Sequence, residues 1–460
     1  MPAKPTSSPE LARDFGLLRA TAMNVNTVVG VGPFITIPLM LGAMGGPQAL
    51  LGWVAGAILA MCDGLVWAEL GAAWPGSGGT YRYLREAYGH ESWGRLAAFL
   101  FIWQFILSGP LVLASGFIGF AQYCTYVWPL SAAAEKLIAA GVGAITILAL
   151  YRRIHSVGKM TVALGIATIA TMSAVVVLGL GKFNPGMAFA FPPHWMGFNR
   201  GFFLGLGSAM LIAIYDYVGY AEVCYIGDEV KQPEKTLPRS IILCVLITAA
   251  FYLAMEIVIV GVVPWRDAVH SQFVVSQFME RVQGRGAAVA ITGLILVTAF
   301  ASLFGGMLGA SRIPYAAARD GYFFPVFARV HRSKRIPHIS LLVLGAAAIV
   351  ASFFDLEKVI TLGVTASILT SSVMQILALP LMRRRLSAGE RPYRMPLYPL
   401  PALVALAGWV GIFVLSGAVY VEWSLAVIAA GGAAFLIHAG LSRTWPFAEV
   451  RKCGSAEVRN

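Results

Sequence analysis

Continuous apolar runs separated by short polar connections recur along almost the whole chain, and most approach or exceed the roughly 20 residues that cross about 30 Å of hydrocarbon. Twelve such runs can be drawn, at residues 16–41, 49–72, 96–123, 136–151, 160–180, 201–227, 240–264, 286–312, 337–354, 358–382, 400–421 and 423–441. None has the two-residue alternation of a lipid-facing strand, so the pattern predicts an all-α membrane protein of twelve transmembrane helices and not a barrel. The longest connections, 181–200 and 313–336, are too short to bury a core of their own. The predicted organisation is a polar tail (1–15), one membrane domain (16–441) and a second tail (442–460).

Two runs carry helix-breaking residues at mid-membrane. The first contains Gly30, Gly32, Pro33 and Pro38, and the sixth has Gly219 between Asp216 and Glu222. Pro33 and Pro38 lack the amide hydrogens that would bond the carbonyls of Val29 and Phe34, and the glycines make unwinding cheap. The breaks lie five spans apart. That is the spacing expected when two five-helix repeats of opposite topology (16–180 and 201–382) each begin with a discontinuous helix, leaving 400–441 as an accessory pair. No residue-level repeat accompanies the pattern.

Composition agrees with the pattern. With 58% of 460 residues apolar and 12% charged, there is too little polar surface to cover a water-soluble body of this size. A net charge of +12 raises the question of a nucleic-acid partner, and the placement of the charge answers it. Of the 34 Lys and Arg, 27 fall on alternate connections and the tails, so the positive-inside rule puts both termini in the cytoplasm, as an even span count requires. The expected partner is the lipid bilayer of the plasma (inner) membrane, not nucleic acid. The first sixteen residues are polar, with Lys4 and Arg13 and no early apolar core, which predicts a retained first span and no cleaved signal. Cys62, Cys124, Cys224, Cys244 and Cys453 are scattered without metal-ligand spacing and read as packing thiols.

Freed backbone at membrane depth is tolerated only where protein buries it or where it lines a wet cavity, and there carbonyls can hold a cation or ammonium while amides hold a carboxylate. An α-amino acid carries both groups. A plain proline kink is the competing reading of the first run. Asp216 and Glu222 are candidates for proton or ion coupling, and Asp216 also for a substrate amine, because carboxylates at this depth are costly. The bland alternatives are a satisfied interhelical bond for Asp216 and a cytoplasm-facing position for Glu222. Asp63, Glu69 and Glu256 read as packing or proton-linked acids, Gln104 as an interhelical hydrogen-bonding group or a substrate contact, and Tyr215 as packing or a gate.

Four ordered blocks carry a family resemblance. Gly30-Val-Gly-Pro-Phe34 resembles the Gly-x-Gly-Ile-Phe of the amino acid, polyamine and organocation permeases. Pro75 to Gly89 resembles the loop after their second span. Gly227-Asp-Glu-Val-Lys-Gln-Pro233, with Thr236 and Pro238-Arg239, is similar to the segment after their sixth, and Ser311-Arg312 with Ala318 to Gly321 to that after their eighth. The resemblance implies a broken-helix inverted-repeat fold and proton-coupled uptake or exchange of a small molecule, an amino acid or an amine. It places the substrate on Thr27, Gly30, Val31, Gly32 and Phe34 of the first span, under an aromatic at Tyr215 with Gly219 at the second break. Pro33 stands where an aliphatic residue is usual and removes a donor, as in a Gly-Gly-Pro-Phe version found in polyamine-uptake members. The acid some members have in the broken part of span six falls on Ala221, making Glu222 its neighbour. A lysine of some members falls near Thr168, which together with Ser302 leaves a sodium site open, although the proton is the expected coupling ion. Phosphate-loop and Ser/His/Asp patterns are absent, so the chain reads as a carrier that is no enzyme and needs no cofactor or metal. A transporter-like sensor without flux is the reading from another class.

Overall fold

The first apolar run folds as two helices, because the backbone cannot continue through its glycines into Pro33. Helix α1 (Leu17–Val28) ends where the Gly30 amide turns back to the Val28 carbonyl at 3.0 Å, and α2 (Gly32–Met44) starts again with Pro33 in its first turn. A proline is harmless there, since first-turn amides have no helical acceptor anyway. The two axes are bent by 49°. Gly45, at φ +70°, closes α2 in the left-handed conformation that a side chain would disfavour.

The computed structural model describes residues 11, 13–90, 92–193, 195–354, 363, 366–415, 418–442 and 445–447. Along these follow α3 (Leu50–Ala73), α4 (Trp93–Cys124), α5 (Ala132–Leu150), α6 (Ile154–Leu180), α7 (Arg200–Tyr217), α8 (Pro233–Val260), α9 (Arg285–Ala310), α10 (His338–Ala351), α11 (Met374–Arg385), α12 (Leu400–Leu415) and α13 (Ala418–Ser442). Ser131 caps α5 by accepting from the Ala134 amide at 3.3 Å, and Asn199 caps α7 through the Phe202 amide at 2.9 Å. Among the described residues there is no β-strand, only the isolated bridges Phe15–Val230 and Ser77–Ile226.

Seven of these helices, α3, α4, α5, α6, α8, α9 and α13, are long and apolar enough to cross a membrane, and the bent pair α1 and α2 meets the same length and composition when its two helices are taken together. Helices α10 and α12 are apolar but shorter. Two runs differ from expectation. The sixth, drawn to residue 227, is helical only to Tyr217; the chain then turns through Gly219 at φ +116° into 3₁₀ turns at Glu222–Tyr225 and Gly227–Glu229. The seventh begins earlier than drawn, at Pro233, a helix-starting proline hidden among charges. The tenth lies partly outside the described residues; in its described part a π-helical turn, Ile368–Val373, leads into α11.

Helix α1 sits at the centre, packed against α6, α8 and α9, while α2 lies along α7 and α3 runs between α7 and α8. Small residues set the closest approach: a Cβ added at Gly52 or Gly56 of α3 would come within 2.7 Å of Ala209 or Ala213 of α7. Without a hydrophobic drive between helices in lipid, such close backbone packing is what holds them.

Candidate functional site

The two breaks face each other at the middle of this helix array. A Cβ on Gly219 would meet Thr27 Cγ2 at 2.9 Å and the Thr27 carbonyl carbon at 3.1 Å, so the turn after α7 presses directly on the last turn of α1. Tyr252 of α8 joins them: its hydroxyl lies 3.4 Å from the Val28 carbonyl and 3.1 Å from that of Asp216, and donates to one at a time. Asn24 of α1 accepts from the Val223 amide at 2.9 Å and so caps the irregular backbone beyond the second break. Each contact answers a backbone group that would otherwise be orphaned at membrane depth.

Not every group is answered. Among the described residues no hydrogen bond reaches the carbonyls of Val29 and Gly30, or leaves the amides of Val31 and Gly32. Asp216, 2% exposed, points at this gap. Its Oδ2 accepts from Thr36 Oγ1 at 2.5 Å, while its Oδ1 is buried with no partner and lies so near Gly32 that a Cβ there would overlap it. Tyr215, 40% exposed, lies beside the same glycine, with its ring 3.8 Å from that Cβ position. The opposite wall is α9. Ser302 Oγ donates to the Thr27 carbonyl at 2.9 Å and would lie 3.1 Å from a Cβ on Gly30.

The fold thus brings Thr27, Gly30, Gly32, Tyr215, Asp216, Gly219 and Ser302 to one place. Val31 is at its edge, its Cγ2 3.5 Å from a Cβ position on Gly119 of α4. Other sequence candidates lie apart. Phe34 is fully buried in the apolar core. Gln104 donates to Ser108 on its own helix and accepts from Thr370 at 2.8 Å, which ties α4 to the π turn before α11. Glu222 follows the break and packs against Gly309 of α9, where a Cβ would overlap its carboxylate. Thr168 is buried on α6 and donates to the Asn26 side-chain carbonyl of α1 at 3.5 Å. Of the other acids, Asp63 accepts from Tyr220 at 2.5 Å, Glu69 is held by Arg383 and Arg391, and Glu256 is buried beside Trp53.

Three contributors escaped the sequence reading. Thr36 was findable, because it stands one helical turn after Gly32 and shares its face. Tyr252 and Asn24 carried no signal, because their partners are backbone atoms of segments far away in sequence. Chemically, the gap offers a carboxylate oxygen for a cation or ammonium, two carbonyls of the same preference, and amides at the start of α2 suited to a carboxylate.

Known proteins resemble this chain over nearly its whole length. The family model described as "Amino acid permease" matches residues 15–446. The serine/threonine exchanger SteT of Bacillus subtilis is 27% identical over 404 residues, 86% of this chain and 90% of its own length. An uncharacterised transporter of Mycobacterium tuberculosis is 30% identical over 445 residues, covering 94% of this chain and 91% of its own. The branched-chain amino acid permease BcaP of Lactococcus lactis is 25% identical over 425 residues, 88% of each chain. With the match running from the start of the first helix to beyond the last, the chain belongs to the amino acid permease family of integral, multi-pass membrane transport proteins.

Proposed function

We propose that this protein is a secondary active transporter that carries an amino acid across the plasma (inner) membrane by alternating access, driven by a proton gradient or by exchange. The observation that carries this reading is the opposed pair of helix breaks with the unpartnered Asp216 Oδ1 against Gly32. Substrate carboxylate on the α2 amides and substrate amine between Asp216 and the Val29 and Gly30 carbonyls would complete every open group at once. The relatives whose printed names give a substrate carry amino acids of several kinds: serine and threonine, branched-chain residues, cationic residues, and cystine with glutamate; this supports an amino acid cargo here without favouring one side chain. Twelve crossings in two inverted repeats, with both termini in the cytoplasm, are part of the same proposal. No cofactor is required.

A second reading has its own support. Asp216 is a full carboxylate where backbone dipoles alone can hold an α-amine, and Pro33 removes a carboxylate donor, so an organic amine is the alternative cargo. Uptake of labelled serine, threonine, leucine and putrescine into vesicles holding the purified protein, with and without an inward proton gradient, tests both readings. Accumulation or counterflow of an amino acid supports the first, uptake of putrescine alone supports the second, and binding without any flux would sink both in favour of a sensor.

A further inference from the structure

The connection from α9 to α10 carries a second, separate feature. After Asp320 it holds no acid, yet it contains Arg329, His331, Arg332, Lys334 and Arg335. Elsewhere the arginines beside the helix ends are paired: Arg85 with Asp320, Arg312 with Glu229, Arg319 with Asp228, and Arg383 and Arg391 with Glu69. Arg329, Arg332 and Arg335 have no carboxylate partner among the described residues. Arg329, His331, Arg332 and His338 line a cavity of about 610 Å³, a volume in the range of small-ligand sites.

The cavity is held open by its own local bonding. Lys334 is engaged elsewhere: it donates to the Tyr151 carbonyl at 2.9 Å and lies 3.8 Å over that ring, pinning the loop to the end of α5. The His331 Nδ1 accepts from the Lys334 amide at 3.3 Å, which leaves Nε2 as the nitrogen able to donate outward. The rings of His331 and His338 stand edge to face, 5.5 Å apart, and His338 Nδ1 is buried without any hydrogen-bond partner. His338 also opens the 14-residue α10, so the positive end of that helix faces the same space. The Arg329 and Arg332 guanidiniums and the outward His331 Nε2 are donors suited to an anion.

We propose that this cavity binds the phosphate of an anionic phospholipid headgroup in the cytoplasmic leaflet. A lipid is favoured over a soluble anion because Phe324, 67% exposed, and Val326, 39% exposed, flank the basic cluster and offer an apolar surface to acyl chains. A basic pocket at the ends of membrane helices on the positive side is the chemistry that recognises such headgroups. The inference rests on the orientation proposed above, which has its own check: Ser333→Cys labelled by an impermeant reagent from outside intact cells would overturn the orientation whatever the lipid result.

Native mass spectrometry of the purified full-length protein tests the site, using mixed phosphatidylglycerol and phosphatidylcholine, with the double variant Arg329→Gln, Arg332→Gln for comparison. Both side chains are exposed, so the fold does not depend on them. The wild type is expected to retain phosphatidylglycerol preferentially, and the variant to bind it about 30-fold more weakly, the effect of removing two basic groups near an anionic surface. Equal retention by both proteins would overturn the proposal. So would thermal stabilisation by millimolar inorganic phosphate that matches the lipid effect in phosphatidylcholine alone, since the site would then take a soluble anion.

Discussion

Two regions of the molecule bury carboxylates, and they treat them in opposite ways. At the end of the array that the charge pattern assigns to the cytoplasm, Glu229 is gripped by Arg312 at 2.7 and 3.2 Å, and the same guanidinium reaches the Leu308 carbonyl and Ser311 Oγ. Glu69 there meets Arg383 at 2.6 Å, Arg391 at 3.3 Å and the Met395 amide at 2.8 Å. At mid-membrane, Asp63, Asp216 and Glu256 have no cation among the described residues, and each has an oxygen without a hydrogen-bond partner. The fold can therefore supply arginines to buried acids, and among the described residues it does so at one end. The paired acids knit loops together: the Glu229 carbonyl also takes the Asp14 and Phe15 amides, docking the N-terminal segment on the connection after α7. An acid left without a fixed cation is one that can take a mobile proton or ammonium. Among the three, Asp216 is the one set against open backbone.

The comparison can be broken from its paired side first. Truncating Arg312→Met leaves Glu229 buried and uncompensated, which should cost about 3–5 kcal/mol and appear as a large fall in the thermal unfolding midpoint and in yield of folded protein. A variant of near wild-type stability would mean that the pair contributes little. At the break, Gly30→Leu should abolish uptake while leaving membrane insertion intact, because its side chain must enter the space before Ser302, 3.1 Å from the Cβ position. Tyr252→Phe removes one hydroxyl shared between two carbonyls and should cost only about 0.5–1.5 kcal/mol. Its value lies in the accompanying uptake assay, where a loss out of proportion to that cost would mark Tyr252 as coupling the two breaks.

Much of this was legible in the sequence, for reasons that can be named. Helices α3, α4, α6 and α9 overlap the runs drawn from apolar length, because a bilayer imposes that length on any crossing. The first break was readable because glycine and proline act locally, through φ and the missing amide. The second was only half readable. Gly219 marked the turn, but nothing in the residues 220–229 announces 3₁₀ turns in place of a resumed helix, since those turns depend on Asn24 and on the close approach of Gly227 to the Gly76 backbone. Site candidates divided the same way. Gly30, Gly32, Asp216 and Gly219 converge because both breaks lie at one depth. Gln104 and Thr168 found partners in the π turn and on α1, at sequence separations that no spacing rule encodes, and Thr36 was passed over because a threonine in an apolar helix usually bonds its own preceding turn.

The most direct test of the claim that the opposed breaks form the substrate site is Asp216→Asn, assayed for both stability and uptake in the same vesicle preparation. No ion pair is lost and the Thr36 hydroxyl keeps an acceptor, so the predicted result is a stability within about 1 kcal/mol of wild type with uptake reduced at least tenfold. Uptake at the wild-type rate and substrate affinity, from a variant equally stable, would contradict the account.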